Sequence, residues 1–151
     1  MGFLPGDAEK KEESYIKPYI KLISEICDDN GAWNKLITHK DVRFESTSFL
    51  RGLTFDDSII LVDEMQNLSF HELDSVITRV GENTRIIFCG DYYQSDFTKS
   101  SDKNGIITFL KIIEQMKDFG VVNFTWADIV RSDFVRDYIM TKEMLTEKGE
   151  I

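Results

Sequence analysis

Ser58-Ile59-Ile60-Leu61-Val62-Asp63-Glu64-Met65-Gln66-Asn67 decides how the rest of the chain is read. An unbroken apolar run leads into two carboxylates, and two amide side chains follow. Such a run is expected to form a strand buried on both faces, as in a parallel sheet. The acidic pair then falls at the carboxyl end of that strand, where open α/β sheets place their ligand crevice. An Asp there can hold Mg²⁺, directly or through water, because hard cations take oxygen ligands. The adjacent Glu can polarise or deprotonate an attacking water. The plainer alternative is a strand that leaves the core into a solvated, helix-capping turn.

A second element bears on that choice. Thr84-Arg85-Ile86-Ile87-Phe88-Cys89 reads as another buried strand, and it delivers Gly90-Asp91-Tyr92-Tyr93-Gln94 to the same edge. Gly90 lets the backbone turn tightly or approach a ligand. Asp91 and Gln94 can then point into the crevice. A neutral amide both donates and accepts, which suits a γ-phosphate and its attacking water. Two strands that each end in acid plus amide weigh against a chance polar turn. Asp63-Glu64 then has the logic of a Walker B element in a nucleotide hydrolase.

Composition bounds the reading. The 151 residues suffice for one domain with a hydrophobic core. A formal net charge of −9 argues against a module that coats polyanions, so nucleic-acid contact would need a local basic patch or neighbouring subunits. There is no apolar stretch long enough to cross a bilayer and no signal peptide, and a cytoplasmic location is expected. Cys27 and Cys89 stand in apolar contexts without metal spacing and are expected as reduced core residues.

In chain order, residues 1–13 are expected to form a loop and then the charged start of a helix. Pro18 is placed in a first helical turn, and Tyr19, Ile20, Ile23, Ile26 and Cys27 on a buried face. Asp28-Asp29-Asn30-Gly31 ends that helix. A second helix carries Trp33, Leu36 and Ile37, with Trp33 read as core rather than as a base-stacking platform. Val42-Arg43-Phe44-Glu45-Ser46 alternates like a strand. Arg51, in the loop that follows, is a candidate phosphate or RNA contact, with a surface ion pair as the alternative. Ser69 and Glu72 form a capping-box signature for a helix closed by Gly81. His39 and His71 are isolated and not expected to be ligands. Lys99 to Asn104 reads as a mobile surface loop, ahead of a helix with Ile106, Phe109, Leu110, Ile113 and Met116 inward. Gly120-Val121-Val122-Asn123-Phe124 reads as a third buried strand. Thr125 and Asp128 are expected to cap a last helix that buries Ile129, Val130, Phe134, Tyr138 and Ile139, with Trp126 as a packing residue. Arg131, near its start, is a candidate arginine finger, or else half of a structural ion pair. Thr141 to Ile151 is expected to fray.

Six of these stretches carry a specific resemblance. Gly2-Phe3-Leu4-Pro5-Gly6-Asp7, Phe49-Leu50-Arg51-Gly52, Ile60 through Asn67, Thr78-Arg79-Val80-Gly81, Gly90-Asp91-Tyr92-Tyr93-Gln94 and Asp128-Ile129-Val130-Arg131 resemble the successive motifs of the PhoH family, in order and spacing. The resemblance implies a P-loop ATPase similar to superfamily-one helicase motor domains. The expected fold is α/β, a partial RecA-like three-layer domain with a mostly parallel sheet over residues 1–143 and a charged tail at 144–151. It implies ATP and Mg²⁺ as cofactors, with Asp63 as the Mg²⁺ acid and Glu64 as the water-activating residue. Gln66 belongs to the same motif, and Asp91 and Gln94 to the motif that couples γ-phosphate state to movement. Arg131 is the family arginine assigned to a finger. Oligomeric rings, RNA or other single-stranded nucleic acid as a partner, and occurrence in bacteriophages are implied for such proteins.

One departure stands against the matches. The family's phosphate grip is Gly-x-x-x-x-Gly-Lys-Ser/Thr, and this chain contains no Gly-Lys dipeptide. The family's first strand and P-loop helix are therefore expected to lie outside it, and the chain reads as the C-terminal half of such an ATPase. Two functions follow. One is a component of a Mg²⁺-dependent ATPase completed by a P-loop-bearing N-terminal half or homologue. The other is a non-catalytic subunit or truncated relic that docks on an intact assembly.

Overall fold

The computed structural model describes residues 6–91 and 100–150. The expected α/β class holds: the described elements are helices and a parallel two-stranded sheet. The helices are α1 (Gly6–Cys27), α2 (Ala32–His39), α3 (Phe70–Ile77), α4 (Ser100–Ile113) and α5 (Asp133–Glu147), and the strands are β1 (Ile59–Val62) and β2 (Arg85–Phe88). The chain divides after Phe109 into two compact units.

In the first unit, β1 and β2 pair in parallel with Ile59 opposite Arg85 and Val62 opposite Phe88. Parallel strands need a crossover, and α3 supplies it. Ser69 caps α3 as expected: its hydroxyl accepts from the Glu72 backbone at 3.3 Å, while Glu72 accepts from the Ser69 N–H at 2.9 Å. Leu73 and Val76 on α3 are buried, as are Ile106 and Phe109 on α4. Phe109 sets its ring edge-on to Phe88 at 4.9 Å. Gly105 lets α4 come close to α3, since a Cβ there would stand 3.1 Å from the Phe70 Cβ.

The strands are fastened before they begin. Asp57 and Asn83 both adopt left-handed backbone, with φ of 49° and 50°. The Asn83 side-chain amide donates to the Asp57 carboxylate at 2.8 Å, and the Asp57 N–H donates to the Glu82 carbonyl at 2.9 Å. Gly81 does not close α3, whose C-cap is Thr78. Its role is clearance: a Cβ would fall 2.0 Å from the Asp56 carboxylate and 2.8 Å from the Phe55 carbonyl. Arg79 reaches back to donate to the Leu53 carbonyl at 3.3 Å.

Several expectations are corrected. β1 is buried on one face only, with Ile59 and Leu61 each 68% exposed and Ile87 of β2 47% exposed. An apolar run without alternation cannot say which of its faces is covered. The Val42–Ser46 stretch is extended but joins no ladder: Val42 donates to Leu36, and Arg43 pairs with Glu45. Residues 120–124 also form no strand, and Val122 and Phe124 are exposed, because no partner edge meets them among the described residues. Pro18 lies inside α1 rather than at its start. The Glu- and Lys-rich stretch before it favours helix strongly enough to extend it upstream. Trp33 is half-buried rather than core, and Cys27 and Cys89 are both exposed.

In the second unit, Thr125 and Asp128 form a capping box, but on a short turn at Trp126–Asp128 and not on α5. Val130, Phe134 and Tyr138 are exposed, not buried, and Met116 is exposed beyond the end of α4. Trp126 donates its indole N–H to Glu143 rather than packing in a core. Ser100 to Asn104 belong to α4, and α5 continues to Glu147 instead of fraying from Thr141.

Ser69→Ala removes the N-cap acceptor and should cost about 1 kcal/mol in urea unfolding at neutral pH. Burial alone would raise the Glu72 carboxyl, but bonds from the Ser69 backbone and hydroxyl and from Thr47, with His71 nearby, hold it below the usual range. Its contribution is therefore full above the ordinary Glu value and lost as pH falls through the lowered one. The difference between Ser69→Ala and the unaltered chain should shrink in acid.

Candidate functional site

Parallel pairing brings the carboxyl ends of β1 and β2 to one edge, and the backbone continues the join past both strands. Cys89 donates to the Val62 carbonyl at 2.8 Å, and Met65 donates to the Cys89 carbonyl at 2.9 Å. The segments carrying Asp63-Glu64 and Asp91 are thereby stitched together. Between them Glu64 takes a left-handed conformation, φ 51° and ψ 41°. That region is sparsely populated for a residue with a side chain and clusters at functional sites.

The side chains complete the stitch. Gln66 donates through its amide nitrogen to the Glu64 carboxylate at 2.5 Å. Its amide oxygen accepts the Asp91 N–H at 3.2 Å. A carboxylate only accepts and an N–H only donates, so both ends of this amide are specified. Gly90 makes room for it: a Cβ would lie 2.6 Å from the Gln66 oxygen and 2.6 Å from the Met65 Cγ. Gly90 is thus required for close approach.

Asp63 is exposed at the same edge. One of its oxygens accepts the Glu64 N–H at 2.9 Å, and the other accepts the Tyr19 hydroxyl at 2.7 Å. Sequence reasoning placed Tyr19 on a buried helix face and missed this contact, because nothing near Tyr19 in the chain points to Asp63. Burial, then the bonded Asp63 carboxylate, with Glu64 and Cys89 adding to it, push the Tyr19 phenol up to about 12. The hydroxyl therefore remains a donor at neutral pH. The Tyr19 ring also lies 5.9 Å from that of Phe44, which ties α1 to the extended stretch at 42–46.

Among the described residues no group of three His, Cys, Asp or Glu side chains could encage a metal. The donor set here is the lone Asp63 carboxylate, each of whose oxygens keeps a lone pair beyond the bonds described. That suits Mg²⁺, which dehydrates reluctantly and is commonly held by one or two carboxylates with water and substrate phosphates.

Gln94 lies outside the described residues. Arg51 is exposed in a turn after buried Leu50 and forms no ion pair among the described residues. Arg131 is exposed ahead of α5 in the second unit.

The chain matches the family described as PhoH-like protein over residues 1–143. It belongs to the PhoH-like family. Among curated relatives, the PhoH-like protein of Mycobacterium tuberculosis is 26% identical over 149 residues, covering 99% of this chain and 42% of its own length. The PhoH-like protein of Bacillus subtilis is 25% identical over 139 residues, 92% of this chain and 43% of its own length. Protein PhoH of Escherichia coli is 30% identical over 133 residues, 87% of this chain and 37% of its own length. The chain therefore spans about two fifths of these PhoH-like relatives. No described helix is long and apolar enough to cross a membrane.

Gly90→Ala should disrupt this PhoH-like edge, since the new methyl overlaps Gln66 and Met65. Overpacking of this kind costs roughly 1–3 kcal/mol. Gly120→Ala, where a Cβ meets nothing within 4 Å, should leave the urea midpoint unchanged and serves as the control.

Proposed function

We propose that this chain is the magnesium- and water-handling part of an ATP-hydrolysing PhoH-like domain, completed by a segment that carries the Gly-Lys phosphate loop. The observation that carries the reading is the Gln66 bridge, which fixes the Glu64 carboxylate and joins it to the Asp91 backbone.

The bonds of Asp63, Glu64 and Gln66 support a role for each. Asp63 would hold Mg²⁺, with Tyr19 and the Glu64 N–H orienting its carboxylate. The ion, when bound, supplies positive charge against the triphosphate oxygens. Glu64 would orient the attacking water and accept its proton, at an exposed position open to a bound nucleotide. Gln66 keeps the Glu64 carboxylate in place and leaves its second oxygen for that water. Asp91 leaves from the same edge, and Gln94 we assign to sensing the γ-phosphate on the family resemblance. Arg131 we assign to a neighbour's nucleotide, as a finger. RNA is the polymer on which we propose such turnover acts, again on the resemblance.

Without the loop, the chain lacks the amides and lysine that grip phosphate. It should not bind Mg-ATP with micromolar affinity by itself. Mixing it with the loop-bearing part of a PhoH-like relative should yield ATP turnover, measured as phosphate release. Glu64→Gln should reduce that turnover at least about 100-fold, the lower range for a lost general base. Undiminished turnover in the variant, or micromolar binding by the chain alone, overturns the assignment.

A further inference from the structure

A groove of about 550 Å³ opens in the first unit, lined by Ile16 of α1, Trp33 and Ile37 of α2, Lys40 at the end of that helix, and Arg43 and Phe44 of the extended stretch. Trp33 and Ile37 stand four positions apart and so share one side of α2. Lys40 takes left-handed backbone, φ 64°, and closes the helix by donating to the Ile37 carbonyl at 3.1 Å. The chain turns there, and the Val42 N–H donates to the Leu36 carbonyl at 3.4 Å. Trp33 is half-buried and Ile37 is 38% exposed, so apolar surface is left open to a ligand.

The chemistry of the lining is aromatic and basic. Trp33 and Phe44 supply ring surface, and the charged residues, Lys40 and Arg43, are both basic in a chain of net charge −9. Arg43 is fixed in place: its Nε donates to Glu45 at 2.7 Å, and its guanidinium lies 5.7 Å from the centre of the Phe55 ring. A guanidinium has five N–H donors, so the pair with Glu45 leaves others for an anion.

We infer that this groove takes an unpaired nucleotide of a single strand, its base against Trp33 and its phosphate on Lys40 and Arg43. The occupant must be flat and apolar at one end and anionic at the other. Single-stranded nucleic acid meets both demands, because bases stack on aromatic side chains while basic groups follow the backbone. A duplex keeps its base faces covered by neighbouring pairs. The groove gives a place to the RNA of the proposed function, and it rests on that reading for what occupancy does. Phe44 lines the groove with its ring 5.9 Å from that of Tyr19, and the Tyr19 hydroxyl holds Asp63 at 2.7 Å. A bound strand is thereby two contacts from the carboxylate assigned to magnesium.

The probe is a fluorescein-labelled uridine oligonucleotide, titrated with the full chain at low salt without ATP and read by anisotropy. The unaltered chain should bind it, and binding should weaken as salt rises. Trp33→Ala should weaken it at least about fivefold, the lower range for one lost stacking contact. Lys40→Glu should weaken it by a similar factor and, at an exposed residue, should melt with the unaltered chain, which keeps the test valid if Trp33→Ala unfolds. Lys117→Glu, the same charge change at an exposed residue in the second unit, should bind the strand normally. The strand annealed to its adenosine complement should bind more weakly. Absence of binding, unchanged affinity in Lys40→Glu, or duplex binding as tight as that of the single strand overturns the inference. An acidic peptide that binds in place of the strand and loses affinity in Lys40→Glu overturns it too and assigns the groove to a protein partner. Strand binding that depends on Lys40, without ATP turnover in the mixture with the loop-bearing part, leaves the groove standing and sinks the catalytic proposal.

Discussion

The candidate site depends on the hydrogen-bonded join that carries β1 and β2 beyond their last ladder residues. Cys89 donates to the Val62 carbonyl and accepts from the Met65 N–H, and the Gln66 side chain then spans to Asp91. Each bond is modest by itself, on the order of 1 kcal/mol net. Their value is geometric: they hold a left-handed Glu64 between two anchored residues. A backbone conformation that costs of order 1–3 kcal/mol persists only when its surroundings over-determine it. Here the surroundings are the Met65 N–H, the Gln66 amide and the clearance provided by Gly90.

The cluster is exposed and acidic, with Asp63 and Glu64 side by side at the edge of the sheet. The adjacent Asp63 and Glu64 carboxylates, held by the Tyr19 hydroxyl, a backbone N–H and the Gln66 amide, make an edge suited to a cation. The same locus repels a bare polyphosphate.

Much of this was legible in the sequence because the signals were local. The apolar runs at 59–62 and 85–88 marked both strands, Ser69 and Glu72 marked the start of α3, and the 106–109–113 spacing marked the buried face of α4. The shared edge followed from parallel pairing. What failed depended on partners far along the chain. Residues 42–46 and 120–124 have strand composition, but a strand exists only where another edge meets it. The apolar residues near α5 have helical spacing, yet spacing cannot say whether anything covers them. Tyr19 was invisible as a site residue because its hydroxyl acts 44 positions away. Gly81 has the look of a helix cap and Gly90 of a tight turn or a ligand approach, whereas both are needed because another chain segment passes too close for a Cβ.

The left-handed pair Asp57 and Asn83 sits at the opposite end of the strands from the chemistry, roughly 13 Å away for four residues of β-structure. A slip of β1 by a single position would swing Asp63 to the side now occupied by Val62 and bury a carboxylate among Phe88 and its neighbours. The clasp between those two residues resists that slip before the strands even start. Alignment of the acidic tip is thus enforced from its foot, and substitutions at 57 or 83 would be felt as misdirected chemistry at a place they never touch.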